Sequence, residues 1–135
     1  MAADLTDADY AALADFRFTL RQFMAFTERN AEACGLTPQQ HQALLTIRAA
    51  PVGEATVGRV AERLILKPHS ATGLVDRLEA LGFVRRRASE RDRRQALLEL
   101  SERAHVVLAE LSATHKQELR RLRLLLIGLL EKAAE

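Results

Sequence analysis

Apolar side chains recur along this chain at three- and four-residue intervals from near its start to near its end, which predicts a mostly helical protein. Tyr10, Leu13, Phe16, Leu20, Phe23 and Met24 mark a long first helix, opened by Thr6 as N-cap with Asp9 three residues on and closed at Cys34-Gly35. Phe18 and Phe26 fall off that stripe, so this helix is expected to bury more than one face. Thr37-Pro38-Gln39-Gln40 starts a second helix with a capping box and Pro at the first helical position; its expected inner face is His41, Leu44, Leu45 and Ile47. Val57, Val60, Ala61 and Leu64 predict a short third helix, and Ile65-Leu66-Lys67-Pro68 a turn into a fourth. That fourth helix is expected to bury Ala71, Leu74, Val75, Leu78 and Leu81 and to stop at Gly82. Ser101 caps a last long helix with the stripe Val107/Leu108, Leu111, His115, Leu119, Leu122, Leu126 and Leu129.

Between Gly82 and Ser101 the pattern changes. Phe83-Val84 and Ala96-Leu97-Leu98 read as short strands, and they bracket Arg85 to Arg94, which sets six arginines against Glu90 and Asp92. Six arginines so close repel one another and gain little as a merely solubilising loop. A hairpin so loaded suits the negative potential of a DNA groove. Arg85, Arg86 and Arg87 would alternate faces in a strand, so at least one is expected to pair with an acid of its own protein.

Composition sets bounds on the rest. A chain of 135 residues, 48% apolar and 28% charged, fits one ordered domain. With 4% aromatics and no Trp, its core is expected to be Leu, Val and Ala. Residues 1–33 carry six acids and three arginines, or −3, whereas residues 85–94 carry +4, so one end faces a polyanion and the other does something else. Cys34 is the single cysteine, which excludes an internal disulfide. No signal peptide and no membrane-length apolar run are legible, so a soluble cytoplasmic protein without a membrane partner is expected.

The segment Thr56 to Leu81 has the spacing of a helix–turn–helix. Its second helix would show Lys67, His69, Ser70, Thr72, Gly73, Asp76 and Arg77 to solvent, donors or small residues suited to acceptor-rich base edges and to phosphate. Alone, that face reads equally well as a solvated helix surface. The basic hairpin directly after it decides between the two, because the combination is a winged helix–turn–helix.

The chain here resembles the MarR (multiple antibiotic resistance) family of bacterial regulators. The matching residues are Val57…Val60-Ala61-Glu62-Arg63-Leu64, Ser70-Ala71-Thr72…Leu74-Val75-Asp76-Arg77-Leu78-Glu79, Leu81-Gly82-Phe83-Val84-Arg85-Arg86 and, above all, Asp92-Arg93-Arg94. The resemblance covers the whole chain and implies a mainly α fold with a small β-hairpin wing. It implies one MarR-like domain, 1–135, with a winged helix–turn–helix at 37–100 flanked by long N- and C-terminal dimerisation helices at 1–35 and 101–135. It implies that Lys67, His69, Ser70, Thr72, Gly73 and Arg77 meet the major groove. Arg91, Arg93 and Arg94 would serve the wing, with Arg93 or Arg94 in the minor groove, and Asp92 would orient a wing arginine through a bidentate pair. Gly73 departs from the pattern, since relatives often place a long side chain there.

Regular leucines on the last helix, with the first helix beside it, predict a homodimer and a pseudo-palindromic operator; the competing reading is that the first helix covers the last within one chain. Arg17, between Leu13 and Leu20 on the inner stripe, and Arg21 one turn on could bind a small aromatic acid effector, or pair with Asp15 or Glu28. His41, His105, His115 and Cys34 are scattered without metal-ligand spacing, so no metal or cofactor is expected, the histidines read as satisfied core residues and Cys34 as inert. No nucleophile–base or carboxylate pair marks an enzyme. The expectation is therefore a ligand-responsive, sequence-specific repressor that binds double-stranded DNA. The alternatives are a winged-helix protein-interaction module without DNA readout, or a metal- or redox-sensing regulator.

Overall fold

The structure, a computed structural model, describes residues 4–92 and 94–134. Five helices and one hairpin follow in the order α1 (Asp7–Ala33), α2 (Pro38–Ala49), α3 (Val57–Leu64), α4 (Pro68–Ala80), β1 (Val84–Ala88), β2 (Ala96–Leu100) and α5 (Glu102–Ala134). The caps explain the boundaries. Thr6 with Asp9 and Thr37 with Gln40 form complete capping boxes, Thr56 accepts from the Arg59 N–H, and Ser101 accepts from the Ala104 N–H at 3.2 Å. Gly82 stands at φ +80° behind α4, the left-handed conformation that lets the chain reverse there. The turn between α3 and α4 is made by Ile65 at φ 54°, a strained position for a β-branched residue.

The core lies where α2, α3 and α4 meet the base of the hairpin and the start of α5. Leu36, Leu44, Val60, Leu74, Val75, Leu78, Phe83, Val84, Leu98 and Leu108 are buried in it. Leu98 also donates its N–H to the Ala55 carbonyl at 2.8 Å, which ties the hairpin base to the segment before α3. Burial of such side chains, at roughly 1.5–3 kcal/mol each, is what holds the short helices α3 and α4 in place.

Several expectations are corrected. Leu45 and Leu81 were expected inside, yet they are 40% and 46% exposed; Ala43 takes the inward place on α2. The strands run further than the apolar residues suggested, with Val84 opposite Leu100 and Ala88 opposite Ala96, so all three stem arginines belong to β1. On α1, the side buried within the chain is Ala12, Thr19, Thr27 and Ala31, whereas Tyr10, Leu13, Leu20 and Met24 are exposed. Small residues win the inner side because α1 lies along α5 within the same chain, and close helix approach needs short side chains. Arg17 accordingly stands on the exposed side of α1, not on an inner stripe. Among the described residues, no helix is long and apolar enough to cross a membrane.

Candidate nucleic-acid interface

Helix α4 begins at Lys67, which makes no side-chain cap, and Pro68 at its first position has no N–H. The N–H groups of His69 and Ser70 therefore leave the helix end without an intrahelical acceptor, where the helix dipole favours negative charge. Lys67, His69, Ser70, Thr72 and Arg77 are exposed, and Gly73 is half-buried. The Thr72 hydroxyl donates to the Pro68 carbonyl at 3.0 Å, so its lone pairs and not its proton remain available outward.

The hairpin divides its arginines into two classes. Arg85 is opposite Glu99 in the ladder, and Arg87 lies one pleat along on the same face, so both guanidinium groups reach that carboxylate, at 2.7 and 2.9 Å. Arg86 points to the other face and bridges Asp76 (2.7 Å) and Glu79 (3.0 Å) of α4. All three stem arginines are thus engaged, where the strand pattern required at least one. Arg91 and Arg94, at the turn, are exposed and have no acidic partner among the described residues. Arg93 lies outside the described residues.

Asp92 orders the turn through the backbone. Its Oδ1 accepts the backbone N–H of Arg94 at 2.9 Å, its own N–H donates to the Ser89 hydroxyl at 3.3 Å, and its carbonyl accepts from Gln95 at 3.1 Å. Among the described residues it holds no guanidinium; a carboxylate two residues before an N–H closes an Asx turn, and that geometry is local.

A second site lies where α1 meets the reading head. A cleft of about 700 Å³ opens between α1, α2 and α3, lined by Met24, Glu28, Gln42, Leu45, Arg59 and Arg63 among others. The Arg59 Nε is buried without a hydrogen-bond partner. Arg17 and Arg21 are exposed on α1 and do not line it. A narrow recess shares Met24, Glu28, Pro38 and Gln42 with this cleft and reaches His41.

His41 of α2 and His115 of α5 meet edge-to-face, with ring centroids 5.0 Å apart, and Phe26 of α1 packs on His115 at 6.2 Å. Neither histidine is satisfied as expected, since the Nε2 of each is buried without a partner. Burial holds both imidazoles below the ordinary histidine value, and His115 lowers His41 further. Sequence spacing could not reveal the pair, because it forms only when α5 folds back across α2. Among the described residues, no three His, Cys, Asp or Glu side chains come together to hold a metal ion, and Cys34 is exposed at the end of α1.

Residues 35–95, which contain the α3–turn–α4 unit and the hairpin through its turn, match the model of the MarR family. This stretch is similar to the winged helix of that family. An HTH-type transcriptional regulator of Bacillus subtilis, YfiV, is 44% identical over 52 residues, a match covering 38% of this chain and 32% of that protein. The likeness of fold extends beyond that stretch. AbsC, a MarR family transcriptional regulator from Streptomyces coelicolor, superposes over 89% of this chain and 81% of its own with a TM-score of 0.72 at 21% identity. Staphylococcus aureus MepR, solved as a DNA complex, does so over 88% and 82% with a TM-score of 0.66 at 16% identity.

Within the matched stretch, Gly73 is approached from one turn away. A Cβ built on Gly73 would lie 3.7 Å from the Arg77 Nη1, so Arg77 folds back across the place a side chain would leave.

Proposed function

We propose that the protein is a ligand-responsive transcriptional repressor that binds double-stranded DNA as a homodimer at a pseudo-palindromic operator. The observation that carries this reading is the division of the hairpin arginines. The stem arginines are neutralised by Glu99, Asp76 and Glu79, while Arg91 and Arg94 at the tip stand exposed with no acidic partner among the described residues. Exposed cations at the end of a hairpin that is bridged to the reading helix, together with open N–H groups at that helix's start, suit a groove and its phosphates. MepR, which shares the fold, was solved bound to DNA.

In this reading Lys67, His69 and Ser70 meet phosphate and base edges at the start of α4, and Thr72 and Arg77 reach the major groove beside Gly73. Arg91, Arg93 and Arg94 serve the wing, and Asp92 orients it through the turn. The winged helix–turn–helix spans 37–100, and the helices of 1–35 and 101–135 join two protomers. Apolar side chains that the single chain leaves uncovered support the dimer: Tyr10, Leu13, Phe18, Leu20 and Met24 on α1, and Leu119, Leu124, Leu125, Ile127 and Leu130 on α5.

The effector is a small aromatic acid. The cleft between α1, α2 and α3 has the volume of a small-molecule site and an apolar wall of Met24, Leu45 and Leu64, with Arg59 and Arg63 to meet a carboxylate. It favours these two cations over Arg17 and Arg21. Occupying the cleft acts on the seat of α3 and so on the separation of two reading helices that must meet successive major grooves about 34 Å apart.

Selection from random duplex DNA tests the function. A two-fold symmetric consensus is the expected result, and retention without sequence preference, or weak and salt-insensitive binding, contradicts it.

A further inference from the structure

Among the stem arginines, Arg86 is held in a way its neighbours are not. Arg85 and Arg87 meet a carboxylate of their own hairpin and keep side chains 77% and 64% exposed, whereas Arg86 is 28% exposed and leaves the hairpin altogether. It closes a two-point bridge to α4, with Nη2 on the Asp76 Oδ1 and Nη1 on the Glu79 Oε1. Asp76 and Glu79 are the two acids of α4, three residues apart and therefore on one face of it.

The hairpin springs from α4 through Leu81-Gly82-Phe83, with Gly82 at φ +80°. The base of this connection is anchored from α5, since Arg103 donates to the Leu81 carbonyl at 2.9 Å and lies 4.3 Å over the Phe83 ring. Beyond that base β1 and β2 form a two-stranded ribbon, which twists and bends readily on its own. A planar guanidinium gripping two carboxylates of the reading helix removes that freedom along two directions at once.

We propose that Arg86 is the positioning residue that fixes the angle between wing and reading helix, and thereby the operator geometry at which both can contact DNA together. The inference rests on the DNA-binding reading and deepens it. Its charge is met by two acids, so Arg86 contributes to sequence preference and not to phosphate attraction. A wing loosened from α4 still finds DNA, but it no longer favours the sequence whose grooves match the locked angle.

The test compares the full-length wild type with two variants, Arg86→Met and the pair Asp76→Asn with Glu79→Gln, on the duplex selected by the wild type and on an unrelated duplex across a salt series. Thermal unfolding confirms that both variants fold. Each variant is expected to lose about tenfold in the ratio of specific to non-specific affinity, the size of one mismatched base pair. In Arg86→Met the slope of log affinity against log salt should stay at the wild-type value, because no phosphate contact is lost. If Arg86 instead touches phosphate, Arg86→Met will lower the slope and weaken binding to both duplexes alike, which overturns the proposal. Undiminished preference in Arg86→Met overturns it as well, while leaving the DNA-binding reading intact. A wild type with no preference between duplexes overturns both.

Discussion

The Arg77 Nη1 lies 3.7 Å from the point where a Cβ would stand on Gly73, one turn back along the reading helix. The guanidinium thus lies against the place where a side chain at 73 would begin. Gly73 departs from the family pattern of a long side chain, and in the structure the cation beside that gap comes from four residues further on.

A methyl group fits at 73, because 3.7 Å is ordinary van der Waals contact. Gly73→Ala is therefore expected to stabilise the protein by up to about 1 kcal/mol, the difference in helix propensity, and to raise the melting temperature by about 3 °C. Gly73→Arg should set two like charges at i and i+4, drive Arg77 off this face and change the selected DNA sequence. Thermal melts and duplex selection check the two substitutions.

The dimer seam is expected on the uncovered part of α5. Leu119, Leu126, Ile127 and Leu130 line an apolar groove there, whereas Leu122 is already buried within the chain. Leu119→Glu with Leu130→Glu should yield a folded monomer, and Leu122→Glu should destabilise the chain itself, by several kcal/mol for an unpaired buried charge. Sedimentation checks the first variant and denaturant unfolding the second. A dimer that survives Leu119→Glu with Leu130→Glu would place the seam elsewhere.

Stability should fall on the acid side through the His41–His115 pair. Burial lowers both imidazoles in the folded protein, and the second ring lowers His41 further, so below the ordinary value of 6.5 the unfolded chain binds more protons than the folded one. Stability is then fully present above about pH 6.5 and declines as the pH drops below it. Glu28 of α1 lines the recess beside His41, and Glu118 of α5 is engaged by Arg121. His41→Leu with His115→Leu removes both titrating groups and both unpartnered Nε2 atoms, so urea midpoints of this variant should change less between pH 7.5 and pH 5 than those of the wild type.

Much of the architecture was legible from local chemistry. Thr6, Thr37 and Ser101 as caps, Pro38 and Pro68 as first helical residues and Gly82 as a stop are decided within a few residues of chain, and each stands where expected. The periodicity of α1 misled because Tyr10, Leu13 and Leu20 make a proper apolar stripe, yet the packing against α5 selects Ala12, Thr19 and Ala31. Tertiary distance, not hydrophobicity, made that choice. In the hairpin, alternation correctly required an acid for the stem but could not tell that Glu99 would serve two arginines or that Arg86 would cross to α4. The His41–His115 pair and the Arg59 cleft were invisible for the same reason, since both join residues far apart in the chain.

DNA binding is expected to engage the tip arginines and not the stem arginines of the hairpin. Duplex affinity should be measured from about 50 to 200 mM salt for the wild type, for Arg91→Ala with Arg94→Ala, and for Arg85→Met with Arg87→Met. Each phosphate contact adds about 0.9 to the slope of log affinity against log salt, so the tip variant should lose up to about 1.8 and bind more weakly, while the stem variant keeps the wild-type slope. Equal slopes in the wild type and the tip variant, or a loss confined to the stem variant, would contradict the account.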